Sequence, residues 1–388
     1  MYNETRRAAW AEIDLRALVS NYHTLRSLAP DSAVIAAVKA DAYGHNSIKT
    51  SWELIKAGAE YLGVATLDEI VTLREAGIRT PIVLLSATPR GNIKDILDLK
   101  AIPVISSLTD ASLLSDMAGA FAPGESLDIF LAIETGMGRL GILFDGPGAE
   151  SVAKIARLPH IRIAGIFSHL SAADDDDPSF TLDQIDYFDR IVSSLAGMDI
   201  RPDIRTIANS AGIMRYPQAH YEAVRPGIAL YGIYPAPNMD DGTVNLRPVM
   251  SVRANIVLVR KVPAGFPVSY GHTFYTERES LIGVIPLGYS DGLPRVISGK
   301  GRVIVNGVYA PLVGTISMDQ AMVDLTDVPG VKEYDEVIIM GSDGELIITA
   351  DEIAELSGTI SYEVTTRFGQ RLPKVYKYSD VGPACQQG

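Results

Sequence analysis

The stretch Ala33-Val34-Ile35-Ala36-Ala37-Val38-Lys39 consists of six apolar residues followed by a lysine. An apolar run of this length without alternation predicts a strand buried on both faces, as in a parallel sheet. Seven more such runs follow, at residues 61–65, 81–85, 102–106, 127–134, 163–167, 205–208 and 222–225. Amphipathic helical stretches separate most of them, at residues 48–59, 67–76, 92–99, 111–120, 149–158 and 182–195. Eight buried strands alternating with helices predict a parallel (β/α)8 TIM barrel.

A doubly wound open sheet is the alternative to the barrel, but no G-x-G-x-x-G motif follows the first strand to support it. Upstream, residues 8–14 predict another strand, and Asp14 predicts the N-cap of a helix. Apolar side chains recur at helical spacing in that helix, at residues 15, 18, 22, 25 and 28.

Beyond about residue 245 the pattern changes from alternating strands and helices to dense strands. These strands are predicted at residues 249–262, 280–287, 302–305, 308–312, 320–325, 336–340 and 373–378. Asn306-Gly307 predicts a two-residue hairpin turn, and residues 350–356 predict the one short helix of this part. We therefore predict a barrel domain over residues 1–245 and a β-rich domain over residues 246–388, with residues 1–14 able to pair with the β domain.

The bulk composition limits the possible functions. A chain of 388 residues favours two domains, and its apolar runs stop short of the roughly 20 residues that cross a bilayer. The first ten residues lack the apolar core of a secretory signal, and the single cysteine is Cys385, so a reducing cytoplasm is expected and an intrachain disulfide is impossible. A formal net charge of -13 argues against binding to nucleic acid or anionic lipid.

Lys39 is the first candidate functional residue. It ends the first strand, so its side chain should emerge at the end of the barrel where the βα loops build active sites. A free ammonium is costly to bury unless it is paired or neutralised. A Schiff base would remove the charge, and an ion pair with Asp41 is the alternative.

The segment around this lysine, Val38-Lys39-Ala40-Asp41-Ala42-Tyr43-Gly44-His45, resembles the cofactor-lysine motif of the alanine racemases. Eight further motifs of that family follow in the same order: ETGMGRLG at 134–141, FSH at 167–169, ANSA at 208–211, RPGI at 225–228, VSYG at 268–271, GYSDG at 288–292, SMDQ at 317–320 and SYE at 361–363. The resemblance covers essentially the whole chain. It implies a (β/α)8 barrel followed by a β domain, interconversion of L- and D-alanine, and pyridoxal 5'-phosphate carried on Lys39; no metal site is expected.

The resemblance also implies the residues that hold the cofactor. Phosphate would be held where barrels commonly bind it, after strands 7 and 8. Its expected ligands are the Ser210 hydroxyl beside Asn209, the amides of Gly227 and Ile228, and the hydroxyls of Tyr43 and Tyr362. Arg225 would face the pyridine nitrogen, with His169 linked toward it. Arg139 would contact the cofactor's phenolic oxygen and the substrate carboxylate, for which a forked, permanently charged donor is suited.

Racemisation needs an acid/base group on each face of the reacting carbon, because a single base tends to return the proton to its original side. The resemblance implies that Lys39 removes the proton from the D-isomer and Tyr270 from the L-isomer. It further implies a homodimer whose partner chain supplies Tyr270, Tyr289, Met318 and Asp319 to each active site. The Met318 amide would help to hold the substrate carboxylate, and Tyr289 would narrow the entrance.

Three positions depart from the family pattern. Ala132 stands where several members carry a modified lysine, seven positions before Arg139, so another acceptor or a bound anion must orient that arginine. Thr315 stands where members often have an arginine that lines the approach to the site. Asn46 stands where glycine often follows the histidine, with little expected consequence because Asn tolerates positive φ.

Other functions remain open alternatives. A racemase for serine, lysine or other amino acids is the nearest, because a pocket discriminates an added methylene or hydroxyl by only about 1–3 kcal/mol. A basic amino-acid decarboxylase of the same plan would generally bring a cysteine-containing motif and a glycine-rich phosphate loop, whereas the only cysteine here is Cys385. A non-catalytic carrier of the cofactor and a Schiff-base aldolase barrel are the remaining alternatives.

Overall fold

The structure is a computed structural model that describes residues 6–87, 90–124 and 126–378, so Cys385 lies outside the described residues. The chain divides into two units. The barrel unit comprises residues 19–42 and 47–246, and the β unit comprises residues up to 18, residues 43–46 and residues from 247 onward. The first elements are β1 (Ala9–Asp14) and α1 (Leu15–Leu28). Asp14 caps α1 as predicted, since its Oδ1 accepts the backbone amides of Arg16 and Ala17 at 2.9 and 3.1 Å.

Parallel strands form the barrel unit. They are β2 (Ala33–Ala37), β3 (Tyr61–Val64), β4 (Ile82–Ala87), β5 (Ala101–Ile105), β6 (Leu127–Glu134), β8 (Ile161–Phe167), β9 (Ile204–Thr206) and β10 (Ala223–Val224), with β7 (Ile142–Leu143) paired beside β6. The eight strands lie side by side in chain order, and β10 returns to pair with β2 through Ala223 and Ala33. Because the last strand lies beside the first, the predicted barrel is confirmed and the doubly wound alternative is wrong.

Helices connect most of the barrel strands. They are α3 (Ser47–Ala57), α4 (Leu67–Glu75), α5 (Ile93–Asp98), α6 (Leu108–Phe121), α7 (Gly146–Ile155), α8 (Ser179–Gly197) and α9 (Ser210–Arg215). The six predicted helices are all present, and α9 is an additional short one. Between β2 and α3 lies α2 (Lys39–Tyr43), a turn wound in the left-handed sense. The apolar cluster packed among the strands includes Ile35, Phe130 and Ala132.

The β unit is built on a long mixed sheet. Its further strands are β11 (Met250–Asn255), β12 (Leu258–Val262), β15 (Ser280–Ile285), β16 (Arg302–Val305), β17 (Val308–Val313), β18 (Ala321–Asp324), β19 (Glu336–Asp343), β20 (Leu346–Ile348) and β21 (Lys374–Lys377). Two short strands, β13 (Pro267–Val268) and β14 (Phe274–Tyr275), pair with each other in a separate sheet. The sheet includes β1, which pairs antiparallel with β11 and parallel with β21. Val305 pairs with Val308, and Asn306 and Gly307 have φ of 47° and 75°, which confirms the predicted hairpin.

Two helices, rather than the single one predicted, lie near the end of the β unit. The predicted helix is α10 (Ala350–Ser357), and α11 (Ser361–Phe368) follows it. The sequence of α11 contains Val364, Thr365 and Thr366 in succession, and such β-branched residues have low helix propensity. The prediction of one helix was wrong for this reason. None of the helices in the described part of the chain is long and apolar enough to cross a membrane.

Candidate active site

Lys39 lies two residues after the end of β2 and is partly buried. Burial lowers the pKa of its amine, and the neighbouring cations Arg139 and Arg225 lower it further. The Glu69 carboxylate acts in the opposite direction. Within the described residues, the amine forms no hydrogen bond or ion pair, and Asp41 instead accepts the Ser47 amide at 2.7 Å. The ion pair with Asp41 considered above is therefore not formed, and burial and the neighbouring cations disfavour the charged form of the amine.

The backbone after Lys39 is unusual. Ala40, Asp41, Ala42 and Tyr43 all have φ between 52° and 56°, in the left-handed region that non-glycine residues rarely adopt. A carboxylate braces this turn: Glu69 Oε1 accepts the Ala40 amide at 2.5 Å. Its Oε2 accepts the amides of Ala65 and Thr66 at 2.7 and 3.1 Å. Glu69 thus links the ends of β2 and β3.

Glu69 was not among the residues predicted for the site. It is the fourth residue of a capping box, Thr66-Leu67-Asp68-Glu69, in which Thr66 Oγ1 accepts the Glu69 amide at 3.2 Å. The S/T-x-x-E pattern is visible in the sequence and would have located the carboxylate at the start of α4. Its bond to Ala40 depends on the strand-end geometry and has no sequence signal.

Arg225 is almost fully buried after β10 and is held by oxygen acceptors. It donates to Thr206 Oγ1 at 2.7 Å, to the Ser168 carbonyl at 2.5 Å and to the Ile207 carbonyl at 3.3 Å, and its guanidinium stacks 4.2 Å from the Phe167 ring centre. No carboxylate in the described residues pairs with it. Burial lowers the pKa of Arg225 to about 9, which still leaves it protonated near neutral pH.

His169 follows β8 and contacts Arg225 through Nδ1 at 3.1 Å. Because the arginine can only donate, Nδ1 must be the acceptor, so this nitrogen carries no proton. Burial lowers the pKa of His169 well below its usual range, and the positive charges around it act in the same direction. His169 is therefore a neutral imidazole that accepts from Arg225.

Arg139 lies on the loop after β6, and the Glu134 carboxylate holds that loop. Glu134 Oε1 accepts the amides of Gly136 and Met137, both at 2.6 Å, and Oε2 accepts the Arg139 amide at 3.2 Å. The Arg139 side chain is exposed, and its guanidinium forms no hydrogen bond or ion pair with any described residue. Glu134 therefore fixes the backbone of the loop, while the Arg139 guanidinium is left able to bind an anion.

The segment at the end of β9 brings Ser210 against the segment after β10. Ser210 Oγ accepts the Gly227 amide at 2.9 Å and the Ala229 amide at 3.3 Å, and Ile228 starts a short 3-10 turn. The neighbouring Asn209 caps α9, since its Oδ1 accepts the Gly212 amide at 3.0 Å. The Ser210 hydroxyl keeps its own proton for donation.

In the β unit, two of the predicted tyrosines lie together. The rings of Tyr43 and Tyr362 are 6.2 Å apart between centres. Burial raises the pKa of Tyr43 to about 12, so its hydroxyl is a donor at neutral pH. Two glycines allow this arrangement: a Cβ on Gly369, just after α11, would lie 2.2 Å from the Cα of Gly44.

The four residues predicted to serve a partner chain are exposed in the β unit. Tyr289 and Met318 lie on two loops that a hydrogen bond joins, since Ser290 Oγ donates to the Met318 carbonyl at 2.7 Å. Asp319 forms a 2.7 Å ion pair with Arg371, a residue that was not predicted from the sequence. Tyr270 forms no hydrogen bond with this group among the described residues. It lies instead on the turn between β13 and β14.

Comparisons with known proteins agree with these features. Residues 13–235 match the model of the alanine racemase N-terminal domain, and residues 249–376 match that of the C-terminal domain. The chain is 42% identical, over 95% of both chains, to alanine racemase 1 of Clostridium acetobutylicum. The chain belongs to the alanine racemase family. The prediction of this family from nine motifs is confirmed, and with it the prediction of an enzyme.

Two solved structures of the family extend the comparison. The alanine racemase of Streptomyces lavendulae superposes with a TM-score of 0.90 at 36% identity, over 97% of this chain and 98% of that one. The alanine racemase of Bartonella henselae, solved with covalently bound pyridoxal phosphate, superposes with a TM-score of 0.85 at 30% identity, over 95% of this chain and 99% of that one.

Two of the positions that depart from the family pattern, Ala132 and Thr315, are buried. Ala132 is fully buried in the apolar cluster of the barrel and offers Arg139 no side-chain acceptor. Glu134, the nearest acid in sequence, is engaged by loop amides. Thr315 is also buried, and its hydroxyl donates to the Tyr270 carbonyl at 2.9 Å. This position therefore contacts the turn of a predicted catalytic residue.

Proposed function

We propose that this chain interconverts L- and D-alanine with pyridoxal 5'-phosphate attached to Lys39, and that Lys39 and Tyr270 handle the α-proton on opposite faces of the substrate. The observation that carries the proposal is the environment of Lys39. Burial lowers its pKa, and the cations Arg139 and Arg225 act in the same direction; Arg225 is a protonated arginine without a carboxylate partner in the described residues. A neutral amine is the form that attacks an aldehyde.

The residues in each unit fit this cofactor, which when bound supplies an electron sink that acidifies the α-hydrogen. In the barrel unit, the Ser210 hydroxyl and the Ile228 amide are the candidate phosphate ligands, with Asn209 fixing the start of α9. The Gly227 amide, also predicted as a ligand, donates to Ser210 Oγ here and would have to turn to the phosphate. In the β unit, the hydroxyls of Tyr43 and Tyr362 are further candidates, and the raised pKa of Tyr43 keeps it a donor.

Arg225 is assigned to the pyridine nitrogen. Its Nε donates to none of the described residues, whereas its two terminal nitrogens are occupied. A guanidinium keeps its proton, so Arg225 would donate a hydrogen bond without protonating the ring. This arrangement favours simple proton exchange at the α carbon over transamination.

The remaining assignments concern the substrate. Arg139, with an unpaired guanidinium, would bind the carboxylate together with the Met318 amide. Lys39 would take the α-proton of the D-isomer while Tyr270 supplies the proton that forms the L-isomer, and in the reverse direction Tyr270 would take the proton and Lys39 supply it. A racemase of broader specificity, for serine, lysine or other amino acids, is the second candidate function.

We propose further that the enzyme is a homodimer with shared active sites. Tyr270, Tyr289, Met318 and Asp319 are all exposed in the single chain, and exposed aromatic and methionine side chains are enriched at interfaces. Each barrel domain, over residues 1–245, would then receive these four residues from residues 246–388 of the partner chain.

Hydrogen exchange in D2O tests the two-base assignment. Racemisation alone does not, because an equilibrium constant of one forces equal kcat/KM in both directions. Tyr270→Phe should keep exchanging the α-hydrogen of D-alanine through Lys39 while it loses exchange of L-alanine and racemisation. Equal loss of exchange for both isomers would overturn the assignment.

Borohydride reduction tests the cofactor assignment separately. The purified enzyme should show a yellow absorbance band that borohydride bleaches, and peptide mass spectrometry should then find the pyridoxyl group on Lys39. Lys39→Ala should show neither signal. A label on another lysine, or no label, would sink the proposal.

A further inference from the structure

The turn that carries Tyr270 has a strained backbone. Ser269, Gly271 and His272 have φ of 64°, 71° and 48°, and two of them are not glycine. Non-glycine residues held in this region are strained and need support from the surrounding structure. The flanking strands β13 and β14 have only two residues each. The hairpin alone is therefore too short to hold the turn.

The phenol of Tyr270 has little side-chain support of its own. Its residue is 72% exposed, and among the described residues its hydroxyl has no hydrogen-bond partner. In the described chain, the part of Tyr270 that a hydrogen bond holds is therefore its backbone carbonyl.

Thr315, just after β17, ties that backbone down. Its Oγ1 donates to the Tyr270 carbonyl at 2.9 Å, and its own carbonyl accepts from Ser269 Oγ at 2.5 Å. Thr273 Oγ1 lies 3.3 Å from Thr315 Oγ1. Each hydroxyl has one proton to donate, so Thr273 donates to Thr315 Oγ1 and Thr315 donates to the Tyr270 carbonyl. Thr315 is only 7% exposed, so water competes poorly for these bonds.

Gly314 brings the two segments close enough for these bonds. Its φ is 68°, and a Cβ there would lie 2.7 Å from the Val268 carbonyl oxygen and 2.9 Å from the Ser269 Cβ. The residue before Thr315 thus has to be glycine for the backbones to meet.

We propose that Thr315 is a positioning residue for Tyr270. By binding the Tyr270 carbonyl it fixes the strained turn and thereby the direction of the phenol. The inference rests on the proposed function, because the position of the phenol matters to catalysis only if Tyr270 takes the α-proton of L-alanine.

Four variants of the full-length holoenzyme, with a fifth held in reserve, test the inference. Thr315→Val removes the hydroxyl with little change of shape, and Thr315→Ser restores it. Thr326→Val is the matched control, since Thr326 Oγ1 accepts the Leu281 amide at 3.0 Å on the same unit. Tyr270→Phe reports on the proposed function itself, and Ser269→Ala serves in place of Thr315→Val if that protein does not fold.

Thr315→Val should lower kcat for racemisation about 10- to 100-fold with little change in KM, as expected for a misplaced reacting group. Exchange of the L-alanine α-hydrogen should fall with kcat, while D-alanine exchange persists. Hydrogen–deuterium exchange mass spectrometry should show faster exchange of the amides at residues 268–273. Thr315→Ser should reverse all three effects, and Thr326→Val should show none of them.

Equal loss of exchange for both isomers in Thr315→Val, or no recovery in Thr315→Ser, would overturn the positioning role. If Tyr270→Phe is isomer-selective but Thr315→Val behaves like Thr326→Val, this inference alone fails. If Tyr270→Phe is not isomer-selective, the two-base function fails, and the role of Thr315 fails with it.

Discussion

The two turns beside Lys39 and Tyr270 resemble each other in backbone and differ in surroundings. Lys39 precedes four residues with positive φ, and Tyr270 lies among Ser269, Gly271 and His272, which also have positive φ. Lys39, however, is partly buried among charged groups, whereas Tyr270 is 72% exposed. Within the described chain, charged groups thus surround the lysine, whereas most of the tyrosine surface is uncovered; the proposed homodimer would cover it with the partner chain.

Mixed dimers would break this comparison most directly. Lys39→Ala and Tyr270→Phe homodimers should each be nearly inactive in racemisation. If Tyr270 completes the partner chain's site, a heterodimer contains one site with both groups intact. Random reassortment of equal amounts should then restore about one quarter of the wild-type activity.

The control is a chain that carries both substitutions, mixed in equal amounts with the wild-type chain. Sites shared between chains leave about one quarter of the activity in that mixture, whereas sites within one chain leave about one half. No recovery in the first mixture and one half in the second would show that each Tyr270 serves its own chain.

Arg225→Met should give the largest change in stability and tests the lysine side of the comparison. The substitution leaves the buried Thr206 hydroxyl and the Ser168 and Ile207 carbonyls without their donor. Each unsatisfied buried group costs about 1–3 kcal/mol, so the free energy of unfolding should fall by about 3 kcal/mol or more. Urea denaturation measures it.

The control for this variant is Arg215→Met, because Arg215 also donates to backbone carbonyls, those of Asp174 and Asp175, but is only half-buried. It should cost about 1 kcal/mol or less. Equal losses of unfolding free energy in the two variants would mean that the buried bonds of Arg225 stabilise the fold no more than the half-buried bonds of Arg215.

Sequence patterns predicted the barrel better than they predicted the two turns. Near-continuous apolar runs located the strands within a few residues, and β6 was predicted at its observed bounds of Leu127–Glu134. The left-handed turn at Ala40, Asp41 and Ala42 had no such signal, because alanine and aspartate ordinarily favour other conformations. It depends on Glu69, which binds from the start of another helix.

In the candidate site, too, some features were predicted from the sequence and others were not. Its residues could be named from motifs, since those residues have fixed order along the chain. The bonds that position them join distant segments, as Thr315 does with Tyr270 and Arg225 with Thr206. Such contacts follow from the packing of strand ends and were not predicted from local sequence.

His169→Gln should change how the free energy of unfolding depends on pH, and it tests the surroundings of the lysine. The pKa of His169 in the folded protein lies well below its usual value of about 6.5. Below pH 6.5 the unfolded chain takes up a proton that the folded chain refuses, so this histidine contributes stability that is present above that pH and lost as pH falls. The loss reaches at most about 1.4 kcal/mol per pH unit.

Urea denaturation between pH 7.5 and 5 measures this effect. His169→Gln should flatten the decline relative to the wild-type chain, and the same substitution at the exposed His23 is the control. An unchanged slope in His169→Gln would show that His169 takes up a proton as readily in the folded as in the unfolded chain, against its assignment as an acceptor from Arg225.

Glycine substitutions compare the strain of the two turns and should have the smallest effects. Ala40 is exposed with φ of 53°, so Ala40→Gly should raise the free energy of unfolding by about 0.5–1 kcal/mol, since glycine adopts this region freely. Ala120→Gly, at an exposed position of the right-handed α6, should lower it by about as much. At the other turn, Gly271→Ala should lower it by about 1 kcal/mol, because φ there is 71°. If Ala40→Gly instead destabilises the protein, the entropy that glycine adds to the unfolded chain outweighs the backbone strain that it relieves in the folded one.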